Sequence, residues 1–154
     1  MINESEMFNI HLEMGYNFQC YVQTLFPEPI YSIVHRTSHY KDSRTLMDKL
    51  PDFIIRANYN NTNFAVECKF RSEIKEKNFL MKQDQLKIFQ EYRDKNNIDV
   101  FVVVGSGTPE KPESLFILPL LDNLFKLPFS TKEFLYNFER KHNGYFIYDK
   151  GYLK

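Results

Sequence analysis

Apolar positions along the chain keep two periods. Between residues 5 and 26, Met7, Ile10, Met14, Phe18, Val22 and Leu25 recur every three or four positions, the spacing of one helix face. Asn3 or Ser5 can cap that helix, Glu4 and Glu6 suit its positive end, and Pro27 and Pro29 stop it. Gly15 inside it costs up to ~1 kcal/mol relative to alanine, which suggests close approach to another backbone. Ile30 to His35 is a short apolar run and predicts a first strand. Leu50 to Arg71 then shows the second period. Phe53-Ile54-Ile55 and Phe64 to Phe70 flank the polar turn Asn58 to Thr62, the pattern of a β-hairpin over 52–71. In its second arm Phe64, Val66, Cys68 and Phe70 point one way, and Ala65, Glu67, Lys69 and Arg71 the other.

Helical spacing returns over 79–95, with Leu80, Leu86, Phe89 and Tyr92 along one side. Ile98 to Val104 is rich in valine and reads as a strand buried on both faces. Gly105 to Pro109 reads as a turn, and Leu115 to Leu118 as another strand. Ser130 and Glu133 have capping-box spacing, so 131–141 is expected to be a short helix that ends at Asn143-Gly144. Tyr145 to Tyr148 is a candidate final strand or edge segment. A hairpin followed by a helical crossover implies an α/β fold, a mixed sheet with helices on both faces.

The chain's 154 residues suit one domain spanning 1–154, long enough to bury a core. No apolar run approaches the ~20 residues of a transmembrane helix, so no membrane partner is expected. The N-terminus lacks a basic-then-apolar leader pattern. Cys20 and Cys68 do not form a secreted disulfide framework. Together these features predict a cytoplasmic protein. Net charge is zero, but its distribution is uneven. Residues 1–35 hold four acids and no Lys or Arg, while residues 36–95 hold 13 Lys/Arg against 9 Asp/Glu. The basic segment contains the hairpin, and its loop over 36–49 offers Arg36, Lys41 and Arg44 as nucleic-acid contacts.

The candidate chemistry sits in that hairpin. Phosphodiester hydrolysis needs phosphoryl charge neutralised, a water activated and the leaving oxygen stabilised. Hard divalent cations serve these needs and prefer oxygen ligands. Asp52 and Glu67 can supply two carboxylates from adjacent strands, and the Cys68 carbonyl a third oxygen. Lys69 lies ~7 Å from Glu67 along the same face by strand rise, so it can contact the attacking water and the phosphate. Arg71 shares that face and can hold a phosphate. The plainer reading of the same residues is a solvent-facing Glu–Lys pair contributing ~0.2–1 kcal/mol. His35, His39 and Arg56 are weaker phosphate candidates, and Cys68 reads as a packed core thiol.

Pro51-Asp52, then 14 residues, then Glu67-Cys68-Lys69 resembles the PD-(D/E)xK signature of the restriction-endonuclease-like nucleases. Phe53-Ile54-Ile55 after the first element and Phe64-Ala65-Val66 before the second agree with it. So does the expected αβββαβ core. The first helix, Gly15-Tyr16-Asn17-Phe18-Gln19-Cys20-Tyr21-Val22, is similar to that of the Holliday-junction-resolvase-like and Mrr-like branches. The resemblance covers about residues 12–105. It implies a Mg²⁺- or Mn²⁺-dependent DNA endonuclease in which Asp52, Glu67 and the Cys68 carbonyl bind metal and Lys69 aligns the water. Gln19 assists where those branches have Glu, and Gln85 is an accessory residue. Such proteins often dimerise, so a homodimer is an expected assembly. The alternative is a catalytically weak or inactive module of the same fold that binds nucleic acid or a protein partner, as a defence or mobile-element component.

Overall fold

The computed structural model describes residues 1–37, 50–75, 81–120 and 132–154. Helix α1 spans Glu4–Thr24. Asn3 caps it in a reciprocal box, its Oδ1 accepting from Glu6 N at 2.8 Å while Glu6 Oε2 accepts from Asn3 N at 2.9 Å. Strands β1 (Tyr31–Arg36), β2 (Phe53–Ala57) and β3 (Thr62–Arg71) follow, then α2 (Gln83–Asn96), β4 (Asp99–Thr108) and β5 (Lys111–Pro119). The first five strands form one sheet in sequence order. Every neighbouring pair is antiparallel except β3–β4, which α2 connects as a parallel crossover.

Strand alternation divides the core into two halves. Phe64, Val66, Cys68, Phe101 and Val103 face α1 and pack against Phe18 and Val22. Ala65, Val100, Val102 and Val104 face α2 and pack against Leu86 and Phe89. Each fully buried Phe or Val contributes about 1.5–3 kcal/mol, so both faces favour this register. A one-residue slip would turn Glu67 and Lys69 into the α1 core.

Several local expectations change. The apolar stripe of α1 extends further than its burial. Phe18, Gln19 and Val22 are buried, whereas Met7 and Ile10 are exposed. Gly15 approaches no backbone, since a Cβ there meets nothing within 4 Å among the described residues. The close approach is at Gly105, where a Cβ would stand 2.3 Å from the Phe18 ring. Gly105 to Thr108 accordingly continues β4 instead of turning, and a register shift at Ser106/Gly107 absorbs the irregularity. Helix α3 covers only Lys132–Tyr136. Beyond it the chain is extended along β5, where Ile117 N donates to Phe138 O at 3.0 Å and Arg140 N to Leu115 O at 2.7 Å. These pairings outweigh the local helix signal. Ser130 lies outside the described residues. The C-terminal segment adds a small hairpin of β6 (Tyr148–Asp149) and β7 (Tyr152–Leu153). Among the described residues, no helix is long and apolar enough to cross a membrane.

Candidate active site

The β2–β3 register sets the site. Phe53 pairs with Val66, so Asp52, just before β2, lies beside Glu67 and Cys68. Its Oδ2 accepts from the Cys68 backbone N–H at 2.8 Å, and its Oδ1 accepts from Gln19 Nε2 at 3.2 Å. Gln19 comes from α1, on the turn that also buries Phe18 and Val22. The core therefore holds that amide against the hairpin. Asp52 and Glu67 are each 1% exposed. Two carboxylates so withdrawn from water repel one another and lose solvation unless cationic or dipolar groups compensate.

Part of that compensation comes from Lys69. Its Nζ lies 4.0 Å from Glu67 Oε1 and donates to Gln85 Oε1 at 2.9 Å. Gln85 is on the first turn of α2, one residue before buried Leu86, so the second core half positions it. On α1, Gln19 Oε1 is buried and has no hydrogen-bond partner among the described residues. Flipping the amide would bring this oxygen against Asp52 Oδ1, an acceptor facing an acceptor. An added cation would remove that conflict. The site thus gathers hard oxygen donors, two carboxylates and the Gln19 amide, beside the Cys68 backbone. This set suits Mg²⁺ or Mn²⁺. Among the described residues, no third His, Cys, Asp or Glu completes a cluster around the two carboxylates.

The structure thus brings together Asp52, Glu67, Lys69, Gln19, Cys68 and Gln85. Arg36 pairs with Phe53, the residue after Asp52, and turns its side chain to α1. It packs under α1, where its guanidinium donates to Gln23 Oε1 at 2.8 Å and to Cys20 Sγ at 3.4 Å. It also lies 5.0 Å from the Tyr16 ring centroid and 5.4 Å from that of Phe53. Lys41, Arg44 and His39 lie outside the described residues. Arg56 donates to Asn61 in the hairpin turn, at the opposite end of the strands from Glu67. Cys68 is buried in the core half facing α1. Arg71 follows Lys69 at the end of β3, where burial lowers its pKa and Nη1 donates to the Phe70 carbonyl at 2.8 Å.

Sequence reasoning missed the surroundings of that strand end. A cleft of about 420 Å³ opens between α1 and the end of β3, lined by His11, Met14 and Gly15 on the helix and by residues 68–72 on the strand side. The signal was present in the helical spacing, since His11 and Gly15 are four residues apart and share a face.

No protein-family model matches this chain, and no curated protein matches its sequence. In structure the chain is similar to Hjc, a Holliday junction resolvase from the archaeal hyperthermophile Archaeoglobus fulgidus. The match has a TM-score of 0.56 at 12% identity and covers 80% of this chain and 93% of that one. The chain has the restriction-endonuclease-like fold, and the resemblance carried by its Pro-Asp and Glu-Cys-Lys elements extends to the architecture that holds them.

Proposed function

We propose that this chain is a metal-dependent endonuclease that hydrolyses DNA phosphodiester bonds. The observation that carries the reading is the meeting of buried Asp52 and Glu67 with Lys69 and with a Gln19 oxygen that has no partner among the described residues, at the end of one hairpin. Likeness in fold to a Holliday junction resolvase supports it. When bound, a divalent cation neutralises phosphoryl charge and lowers the pKa of a bound water.

The chain's own residues then have separable tasks. Asp52 and Glu67 present carboxylate oxygens from two strands, with Asp52 oriented by the Cys68 N–H. Gln19 offers its amide oxygen from the third direction. Lys69, held between Glu67 and Gln85, directs an ammonium proton at the attacking water and stabilises charge on the phosphate. The closing test is a nicking assay with Mg²⁺ or Mn²⁺ on single-stranded, duplex and branched DNA. We expect cleavage by the wild type and none by Asp52→Ala. Failure of the wild type to nick any of these substrates would refute the reading. A cytoplasmic setting accords with two free cysteines, and a second copy would serve cutting of both strands.

One observation favours a second reading, a catalytically weak module that keeps the fold and binds nucleic acid or a protein partner. Gln19 Nε2 donates to Asp52 Oδ1, so a neutral amide occupies a direction that the resolvase-like branches fill with a carboxylate. Calorimetric titration with Mn²⁺ decides between them. Heat of binding that is present in the wild type and lost in Asp52→Ala supports the enzyme, and no binding in either supports the module.

A further inference from the structure

We infer that the cleft between α1 and the end of β3 binds an unpaired nucleotide of the strand that enters the Asp52–Glu67–Lys69 site. Its walls match the parts of a nucleotide. Met14 and Phe70 are apolar, and Phe70 is steadied by the Phe18 ring at 5.6 Å between centroids, a firm platform for a base. Arg71, His11 and Ser72 supply donors for a phosphate at the same opening. Glu13, the nearest acid on α1, is two residues from both His11 and Gly15 and projects from another side of the helix. About 420 Å³ is the size of a small-ligand pocket and admits one nucleotide, whereas an intact duplex is far too wide.

Gly15 supplies an independent argument. A glycine in the middle of a helix lowers helix stability, and here no neighbouring group requires one, because a Cβ would meet nothing within 4 Å among the described residues. What the missing side chain preserves is the open cleft. The inference deepens the nuclease reading by naming the substrate class as nucleic acid with unpaired nucleotides beside the scissile phosphate, such as a single strand, flap or branch.

The test is Gly15→Leu, which fills the cleft, with Gly15→Ala as the smaller step. Thermal melting should place both variants at or above the wild type, which separates blocking from misfolding. Fluorescence anisotropy in EDTA, where cleavage cannot occur, then reads binding of short labelled oligothymidylate, oligouridylate and a blunt hairpin duplex. Gly15→Leu should weaken binding of the better single strand about tenfold and duplex binding less than twofold. Arg71→Gln should lower the salt dependence of single-strand binding by about one phosphate contact. Equal single-strand affinity in the wild type and a folded Gly15→Leu overturns the proposal, whether or not the protein cuts DNA. Selective loss of single-strand binding in Gly15→Leu supports it even if the wild type nicks nothing, an outcome that would sink the nuclease reading alone.

Discussion

The two ends of the parallel β3–β4 pair each hold carboxylate against the sheet, half-buried at one end and fully buried at the other, and treat it in opposite ways. At the end where β4 begins, Asp99 Oδ2 accepts from the Tyr148 hydroxyl at 2.7 Å and from the Gly151 N–H at 2.7 Å. Around it, Tyr31 donates to the Phe146 carbonyl at 2.7 Å, Tyr59 donates to the Tyr148 carbonyl, and Phe64 stacks on Tyr148 at 4.1 Å between centroids. Neutral donors meet the Asp99 carboxylate there, and the C-terminal hairpin packs on the core. At the end where β2 begins, two carboxylates lie together and a buried amide oxygen remains without a partner among the described residues. The first end is finished by folding. The second carries concentrated negative charge that a cation would complete. A carboxylate whose hydrogen bonds close within the fold marks structure, and polar burial that stays open at a strand's carboxyl end marks a site.

The largest expected effect separates the ends by activity. Lys69→Ala should lower the nicking rate at least a hundredfold, because a positioned proton donor and phosphate contact are lost together. Asp99→Ala should leave the nicking rate of the folded protein within about twofold, since it lies outside the proposed catalytic machinery. Single-turnover rates measured below the melting temperature of both variants check this. Equal losses in the two variants would remove the distinction.

Gln19→Glu sharpens it next. A carboxylate at this position adds negative charge beside Asp52 and Glu67, so Mn²⁺ affinity should rise about tenfold, while the metal-free protein should melt at a lower temperature. Titration calorimetry and melting curves with and without Mn²⁺ read both. A variant that binds metal no better and melts no lower would show that Gln19 is not part of the donor set.

Stability should move in opposite directions at the two ends. Asp99→Ala leaves the Tyr148 hydroxyl and the Gly151 N–H without their acceptor, a loss of about 1–3 kcal/mol. Asp52→Asn keeps an oxygen for the Cys68 N–H, removes one of two facing charges and lets Gln19 turn its oxygen toward the new amide. Without metal it should therefore be as stable as the wild type or more stable, the usual sign of a site that trades stability for function. Urea denaturation in EDTA measures both, and destabilisation by Asp52→Asn would contradict the contrast.

How far these ends could be read in advance follows from the range of the interactions that build them. Asp52, Glu67 and Lys69 stood out because strand alternation is a local rule, and the Asn-rich turn set the hairpin register. Gln85 and Gln19 had to come from resemblance, since their contacts join residues 16 and 33 positions apart across different elements. The Asp99–Tyr148 pair spans 49 positions, and nothing near either residue announces it. The same reasoning accounts for α3. Ser130 and Glu133 carry a helix-start signal, but Phe138 and Arg140 pair with β5 and end the helix at Tyr136. Gly105 reads as a turn residue from its neighbours, and only the Phe18 ring above it explains why it is glycine within a strand.

The smallest expected effect is at alkaline pH and is read at the closed end. Burial is the main cause that raises the Tyr148 pKa above its ordinary value, with the hydrogen bond to Asp99 adding to it, and burial raises that of Tyr31 likewise. In the unfolded chain both hydroxyls ionise near ~10. Above that pH the unfolded state has lost protons that the folded state still holds, so stability falls as pH rises. Below it the contribution of both groups is fully present. Tyr148→Phe should flatten this fall, because phenylalanine has no proton to lose, at the cost of one hydrogen bond at neutral pH. Urea midpoints followed from pH 8 to 11 would show the shallower slope in the variant. If Tyr148→Phe and the wild type lose stability in parallel, the Tyr148 hydroxyl is not held neutral by the fold, and the closed end owes its stability to packing around Phe64 and Phe146 instead.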